Sequence, residues 1–298
     1  MPREPDQSQQ VTALSIALDA LGDRDCVATL RAVIGRNTSF TQIKAITGLS
    51  DPAQSRRLQH LCKSGLVAHE GSIYKPTESG WDSWQVLLSM WAWDYNWFGE
   101  PNHRIGQRLR HTPCANIGLP IFGCASCEAI GVSAAETSTV LYRVEHGFSL
   151  EIGDRRTRHA PLKHLDAAAI IGDGATSALL AWAFLGVGRF TDFHSIVPDL
   201  APATISSRLR VLQRGGVLVQ GSRAADPKRS YRLTTKGLDF FQIFMCVEYL
   251  ARRQFSIDGM TGMTTLHLAC GQRLVPRYTC NACNQPLDRA TTEFLASA

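Results

Sequence analysis

The amino-acid sequence predicts a mainly α-helical fold with small β-hairpins, arranged as two similar helical units that are each followed by a small ribbon. Three observations predict it. The chain has 298 residues, 44% of them hydrophobic, which is enough for two ordinary domains with their own cores. Apolar residues recur at helical spacing in several segments of each half. Short motifs of the first half also return in the second half.

The repeat is visible in the spacing of the matched residues. Leu21-Gly22-Asp23 returns as Ile171-Gly172-Asp173, and Phe40-Thr41 returns as Phe190-Thr191, both after 150 residues. Later matches lie slightly further apart, and the extra residues fall in loops, where insertions are tolerated. We therefore predict two copies of one unit.

Each copy has the same predicted order of elements: two helices, a short helix, a helix that opens at a proline, a two-stranded hairpin and a long closing helix. The closing helix is predicted from Gly80 to Trp97 in the first copy and from Gly237 to Arg252 in the second. Proline at the first helical position and glycine just beyond the last one are common start and stop signals. This order is that of a winged helix-turn-helix domain. The predicted segments are winged helix-turn-helix domains at 11–99 and 166–256, small ribbons at 104–130 and 264–292, and a connector at 131–165.

The proline-opened helix of the second copy is predicted to read DNA. Ile205, Leu209 and Leu212 fall on one helical stripe that should pack inward. The other side chains offer hydroxyl and guanidinium groups, which suit bases and phosphates in the major groove, although a plain solvated face is the alternative. The candidate DNA contacts are Thr204, Ser206, Ser207, Arg208 and Arg210 on the helix, and Arg223, Lys228 and Arg229 on the hairpin.

The first copy departs from this pattern in two ways. Gln54 stands at the inward position that Ile205 occupies in the second copy, and the hairpin turn is short and carries no cation. We therefore expect the first copy to contribute less to DNA affinity. Its candidate DNA contacts are Ser55, Arg56 and Gln59.

Two cysteine and histidine sets predict metal binding. His111-x-x-Cys114 is followed by Cys124-x-x-Cys127, and His267-x-x-Cys270 by Cys280-x-x-Cys283, with nine residues between the two pairs of each set. Two such pairs make a closed tetrahedral site with three cysteines and one histidine. We predict two structural zinc sites, one within each copy. Thiol–disulfide chemistry and a ribbon that folds without metal are the alternatives.

The second copy also carries a set of short motifs that together are typical of a known family. The motifs are Ile171-Gly172-Asp173, Phe190-Thr191-Asp192, Ala201-Pro202, Ser206-Ser207-Arg208-Leu209-Arg210 and Tyr231-Arg232-Leu233-Thr234-Thr235-Lys236-Gly237. With these motifs the chain resembles the HxlR family of bacterial transcriptional regulators over nearly all of 167–256 and more faintly over 15–99. The resemblance implies winged-helix DNA binding and dimerisation through the first and last helices.

The chain departs from that family at the start of the second helix. The family has Gly-Gly-Lys-Trp there, whereas this chain has Gly22-Asp23-Arg24-Asp25 and Gly172-Asp173-Gly174-Ala175. The cysteine that precedes that motif in thiol-sensing members has no counterpart here. Redox sensing is therefore not implied by the resemblance.

Composition and missing motifs exclude other classes of protein. The longest apolar stretch, at 177–187, is too short to cross a bilayer, and the polar first residues lack a signal pattern, so we expect a cytoplasmic protein with no membrane segment. We expect no enzyme activity, because no phosphate-binding, dinucleotide-binding or serine-nucleophile motif is present and four ligands would close each zinc site.

We therefore predict a sequence-specific regulator that binds double-stranded DNA and represses transcription, with activation as the alternative. The two copies should pair as an internal pseudo-dimer, with a homodimer of two chains as the alternative. Trp84 and Trp91 should be buried between the units, although an aromatic pocket for a small-molecule effector is the alternative. The alternative function is a zinc-stabilised protein-interaction module with one or both helix-turn-helix units degenerate.

Overall fold

A computed structural model describes residues 13–34, 37–98, 107–141, 165–223, 226–255 and 263–296. Helices dominate, and every strand pair among the described residues is antiparallel. The predicted mainly α class with small β-sheets is confirmed. Among the described helices, none combines the length and the apolar character that crossing a membrane requires.

The first half contains six α-helices, one 3₁₀ helix (Ala134–Glu136) and seven strands within the described residues. A short strand before α3 pairs with the second strand of the hairpin, so that this sheet has the order β1-β3-β2. The elements are α1 (Ala13–Leu21), α2 (Arg24–Val33), β1 (Thr38–Ser39), α3 (Phe40–Thr47), α4 (Asp51–Lys63), β2 (Val67–Glu70), β3 (Ile73–Pro76), α5 (Glu78–Asp82), α6 (Trp84–Phe98), β4 (Gln107–His111), β5 (Pro120–Cys124), β6 (Ala129–Ile130) and β7 (Thr137–Leu141).

The described residues of the second half give nearly the same order. The backbone N–H of Tyr231 donates to the carbonyl of Gly188 at 2.6 Å, where the first half has the β1–β3 pairing. The elements are α7 (Ala167–Ile171), α8 (Gly174–Phe184), α9 (Phe190–Ile196), α10 (Pro202–Arg214), β8 (Leu218–Arg223), β9 (Asp226–Leu233), α11 (Thr235–Asp239), α12 (Phe241–Phe255), β10 (Met263–His267), β11 (Pro276–Cys280) and β12 (Thr292–Ala296).

The closing helix begins earlier than predicted and is divided. The predicted starts were Gly80 and Gly237, but the Thr77 and Thr234 hydroxyls cap short helices that begin before them. A Cβ on Gly80 would lie 2.1 Å from the Leu66 carbonyl oxygen, so these glycines let the backbone pass close to the residue that precedes the first strand of the hairpin. A break then separates α5 from α6 and α11 from α12.

Helices of the two halves interleave. α1 packs on α12, while α6 packs on both α12 and α7. The Asp94 carboxylate accepts the Ala167 N–H at 2.8 Å, and the Trp93 indole N–H donates to the Lys236 carbonyl at 3.0 Å. The two halves therefore share one hydrophobic core.

The strands of the ribbons pair between the halves, which corrects the prediction of two separate ribbons at 104–130 and 264–292. β4 pairs with β12, β5 with β11, and β7 with β10. β7 also lies inside the predicted connector at 131–165, whose residues 142–164 are outside the described part of the chain. Within the described residues, β5–β6 is the ribbon strand pair formed inside one half, so most ribbon strands find their hydrogen-bond partners in the other half.

Candidate nucleic-acid interface and metal centres

α10 separates a buried stripe from an accessible face, as the sequence predicts. Ile205, Leu209 and Leu212 are fully buried. On the other side, Arg210 is exposed and its guanidinium donates to the Ser206 hydroxyl at 2.9 Å. Thr204, Ser206 and Ser207 are half-buried. This face therefore carries an accessible cation, Arg210, together with hydroxyl groups.

Arg208 does not belong to that face, which corrects its prediction as a DNA contact. Its side chain is buried, and its guanidinium reaches the Asp173 carboxylate at 3.0 Å and 3.2 Å. Asp173 also caps the start of α8 by accepting the Thr176 N–H. Arg57 makes the equivalent ion pair with Asp23, which caps α2. The arginine at this position joins two helices inside each unit.

α4 is the equivalent helix of the first half. Gln54 is fully buried, accepts the Thr47 hydroxyl at 2.6 Å and donates to the Thr29 hydroxyl at 3.2 Å. Its inward orientation agrees with the prediction. Arg56 and Gln59 are exposed and Ser55 is half-buried.

The two hairpins differ in length and charge. In the first, Lys75 is paired with Glu70 at 2.6 Å, and the His69 ring stacks on Tyr74 at 4.1 Å. The second hairpin is longer and irregular between Gly221 and Arg223. The predicted DNA contacts Arg223, Lys228 and Arg229 lie on its strands, and their side chains are outside the described part of the structure.

The eight predicted metal ligands form two clusters, but not the predicted two. The sequence suggested one site within each copy, whereas each H-x-x-C pair meets the C-x-x-C pair of the other half. The strand pairing between the halves is the physical reason. β4 pairs with β12 and β5 pairs with β11, and these pairings bring the end of β4 close to the end of β11. We call the clusters centre A (His111, Cys114, Cys280 and Cys283) and centre B (Cys124, Cys127, His267 and Cys270).

The ligand atoms of each centre are close enough to share one ion. They all lie within 4.8 Å of one another. In centre A, the Cys114 and Cys280 sulfurs are 3.6 Å apart, and His111 Nδ1 lies 3.2 Å and 3.3 Å from two sulfurs. In centre B, His267 Nδ1 lies 3.2 Å and 3.5 Å from sulfurs. Zn–S bonds of about 2.3 Å in a tetrahedron would set sulfurs roughly 3.8 Å apart.

The backbone after each ligand pair adopts the same unusual conformation. Ala115, Glu128 and Asn284 are the described non-glycine residues with positive φ, and each directly follows the second ligand of a pair. Gly271, also at positive φ, follows the fourth pair. A left-handed alanine or glutamate costs on the order of 1–2 kcal/mol, so the surrounding structure must compensate for it. The four turns are therefore built alike.

Backbone donors favour the thiolate in Cys124 and Cys280, the buried cysteines of the two centres. Burial acts to raise the pKa of Cys280, but the N–H groups of Ala282 and Cys283 outweigh it and bring the pKa to about 6. N–H groups lower the pKa of Cys124 in the same way, again against burial. Thiolate is the form of cysteine that binds metal.

A comparison with known families matches part of the chain. Residues 170–257 match the HxlR-like helix-turn-helix family. Neither a curated protein nor a solved structure is significantly similar to the chain. The HxlR-like domain runs from α7 past the end of α12 and includes α9, α10 and the second hairpin. Its match supports DNA binding and transcriptional regulation, and it confirms the resemblance for this part of the chain.

All eight candidate ligands of centres A and B lie outside the HxlR-like domain. The matched family therefore says nothing about the metal. Ligand spacing identified the residues from the sequence, but it held no signal for which pairs would meet. Gly271 and Asn284 are residue types that favour positive φ, and they are the sequence signal for the turns.

Proposed function

We propose that this chain is a DNA-binding transcriptional regulator in which both halves carry a winged helix-turn-helix unit, and that it acts as a repressor. The observation that carries the proposal is α10 in the HxlR-like domain, which holds Arg210 and three hydroxyl side chains over a fully buried stripe. Arg can pair bidentately with guanine in the major groove, and hydroxyls serve bases or phosphates.

Within this proposal the two halves act as an internal pseudo-dimer. The packing of α1 on α12 supports it, since these are the first helix of one half and the last long helix of the other. Helix-turn-helix dimers present two recognition helices about 34 Å apart, one turn of DNA. One chain would then cover two half-sites. The half-sites would differ, because Gln59 stands where the second half has Arg210.

The proposal includes two structural zinc ions, one in centre A and one in centre B. Three cysteines and one histidine are a usual ligand set for structural zinc, and the thiolate-favouring N–H groups support it. Four protein ligands leave no open position for substrate, which is why we propose a structural role rather than a catalytic one.

The test compares matched changes on the two helices. Arg210→Ala should reduce the preference for the selected site by about 1–3 kcal/mol, because a bidentate base contact is lost. Gln59→Ala, the matched change on α4, should have a smaller effect, because Lys75 of the first hairpin is already paired with Glu70 and adds little to DNA binding by the first half. Fluorescence anisotropy with DNA selected from a random pool measures both. A larger loss from Gln59→Ala would contradict the ranking.

A zinc-stabilised protein-interaction module is the second candidate. The first hairpin favours it, because its Lys75 is already paired with Glu70 and would have to leave that partner to reach phosphate. The salt dependence of DNA binding separates the two candidates. A regulator loses affinity steeply as salt rises, whereas an interaction module shows no measurable binding to DNA at any salt concentration.

A further inference from the structure

Each metal centre needs both halves of the chain. Centre A takes two ligands from the end of β4 and the turn after it, and two from the end of β11 and its turn. Centre B has the same arrangement with the roles of the halves reversed. The Cys114 and Cys280 sulfurs that meet in centre A are 166 residues apart in sequence. Neither half alone can complete a tetrahedral centre.

The ribbon strands of the two halves are related to each other by an approximate twofold symmetry. In the β5–β11 pair, Phe122 lies opposite Tyr278, and the pairing runs symmetrically to Cys124 with Pro276 and to Pro120 with Cys280. His111 of β4 lies opposite Thr292, and His267 of β10 lies opposite Thr137. We call β4–β7 and β10–β12 together the ribbon module. It is a single body assembled from both halves.

The ribbon module packs on the long helices between the two helical units. The Phe294 ring of β12 meets Trp84 and Trp91 of α6 at 5.7 Å and 5.5 Å. The Phe122 ring of β5 meets Phe241 of α12 at 5.7 Å. These contacts again cross from one half to the other. A change in the ribbon module would therefore be felt at α6 and α12.

Polar contacts reinforce the same attachment. The Tyr278 hydroxyl donates to the Gln242 side chain of α12 at 3.0 Å. Arg252 of α12 is paired with Glu248 at 2.7 Å, and its guanidinium also reaches the Thr264 hydroxyl of β10 at 3.4 Å. α12 in turn packs on α1 and α6 of the first half. The helices that join the halves thus hold the ribbon module directly.

We propose that zinc in centres A and B clasps the two halves together, and that metal occupancy controls DNA affinity by setting α4 relative to α10. The control of DNA affinity rests on the proposed DNA-binding function, whereas the clasp does not. Metal binding supplies folding free energy to a ribbon whose ligand-bearing turns include left-handed alanine and glutamate. Removing zinc should loosen the ribbon module and, through α6 and α12, the two helical units.

Paired substitutions test the clasp without DNA. Cys114→Ser with Cys280→Ser damages centre A alone, so this variant should keep one zinc per chain after dialysis against a chelator that the native chain withstands. Cys114→Ser with Cys124→Ser removes the same number of cysteines but damages both centres, so it should keep none. Elemental analysis measures the zinc. The reversed result, none for the first variant and one for the second, would show uncrossed sites and overturn the proposal.

A measurement on the unsubstituted chain guards against variants that fail to fold. In the chain loaded with ¹¹³Cd, proton–cadmium correlations should join the side chains of Cys114 and Cys280 to one cadmium signal. They should join Cys124 and Cys270 to the other. Correlations that join Cys114 and Cys124 to the same cadmium would overturn the crossed clasp.

The regulatory arm uses a DNA site selected with the zinc-loaded chain. Metal-free protein should bind it at least about tenfold more weakly and recover when zinc is returned, since holding two contacts in one geometry contributes on the order of 10²- to 10⁴-fold in affinity. Equal affinity with and without zinc would overturn metal control. If the zinc-loaded chain binds no DNA, the proposed function fails. Energy transfer between dyes at positions 59 and 210 then tests the clasp without DNA. The clasp predicts that the distance between the two dyes changes when zinc is removed.

Discussion

Arg208 and Arg210 are two residues apart on α10 and serve different purposes. Helical spacing places Arg208 beside the inward stripe, between Ile205 and Leu212, so the sequence contained the signal that assigns it to the interior. The sequence prediction instead assigned Arg208 to DNA because of its charge and did not take its position on the stripe into account. Arg57 in the first half, which was not predicted to contact DNA, follows the same pattern with Asp23. An arginine on a recognition helix can contact DNA only when its side chain lies outside the buried stripe.

Arg208→Ala should therefore destabilise the fold. Removing one partner of a buried ion pair typically costs about 3–5 kcal/mol, and the Arg208 and Asp173 side chains are only 10% and 12% exposed. The Asp173 carboxylate, which caps the start of α8, would also lose its contact with the guanidinium. Urea unfolding followed by circular dichroism measures the loss. Arg210→Ala, the exposed neighbour, is the control and should unfold like the native protein.

The opposite pattern would contradict this interpretation. If Arg208→Ala kept native stability and lost DNA affinity, Arg208 would be a DNA contact after all.

The contact between α6 and the start of α7 is a buried polar joint at the level of elements. The Asp94 carboxylate accepts the Ala167 N–H and is 5% exposed. Burial raises the pKa of Asp94 to about 7, and repulsion from Asp166 adds to it, while the Ala167 N–H, Arg31 and Arg24 act in the opposite direction. Asp94 therefore takes up a proton more readily in the folded chain than in the unfolded chain.

Asp94→Asn should change the dependence of stability on pH. A carboxyl whose folded pKa is raised contributes stability at low pH and loses it as the pH rises, here between about 4 and 7. Asn keeps an oxygen that can accept the Ala167 N–H but does not titrate. Hence the variant should gain stability relative to the native protein as the pH rises through that window.

Unfolding curves at several pH values test it, because the difference between the two proteins cancels the other titrating groups. A difference that does not vary with pH, or that varies in the opposite direction, would contradict the assignment.

At the scale of the whole molecule, local signals and long-range pairing were not equally predictable. Helical periodicity and the proline and glycine signals predicted the order of the elements, because those preferences act over a few residues. His-x-x-Cys and Cys-x-x-Cys spacing likewise identified the eight residues of centres A and B. The meeting of each H-x-x-C pair with the C-x-x-C pair of the other half depends on strand pairing between segments more than 100 residues apart. Nothing local distinguishes a ribbon whose strands pair within one half from a ribbon whose strands pair with the other half.

The helical spacing of the tryptophans predicted the burial of some of them but not of all. Trp84 and Trp91 are buried at 6% and 2% exposure, as their spacing predicted. Trp81 shares that spacing but is 43% exposed, because it belongs to the short α5 before the break at Ser83. The break changes the direction of the stripe, and periodicity alone did not reveal it.

The most direct test of the account counts the chains on a DNA site and maps that site. Zinc-loaded protein would be used to select DNA, and mass photometry and footprinting would be carried out on the product. We expect one chain to protect two unlike half-sites whose centres lie about one helical turn apart, roughly 10 base pairs. Two chains on a strictly symmetric site would contradict the internal pseudo-dimer, and the absence of any protected sequence would contradict the proposed function itself.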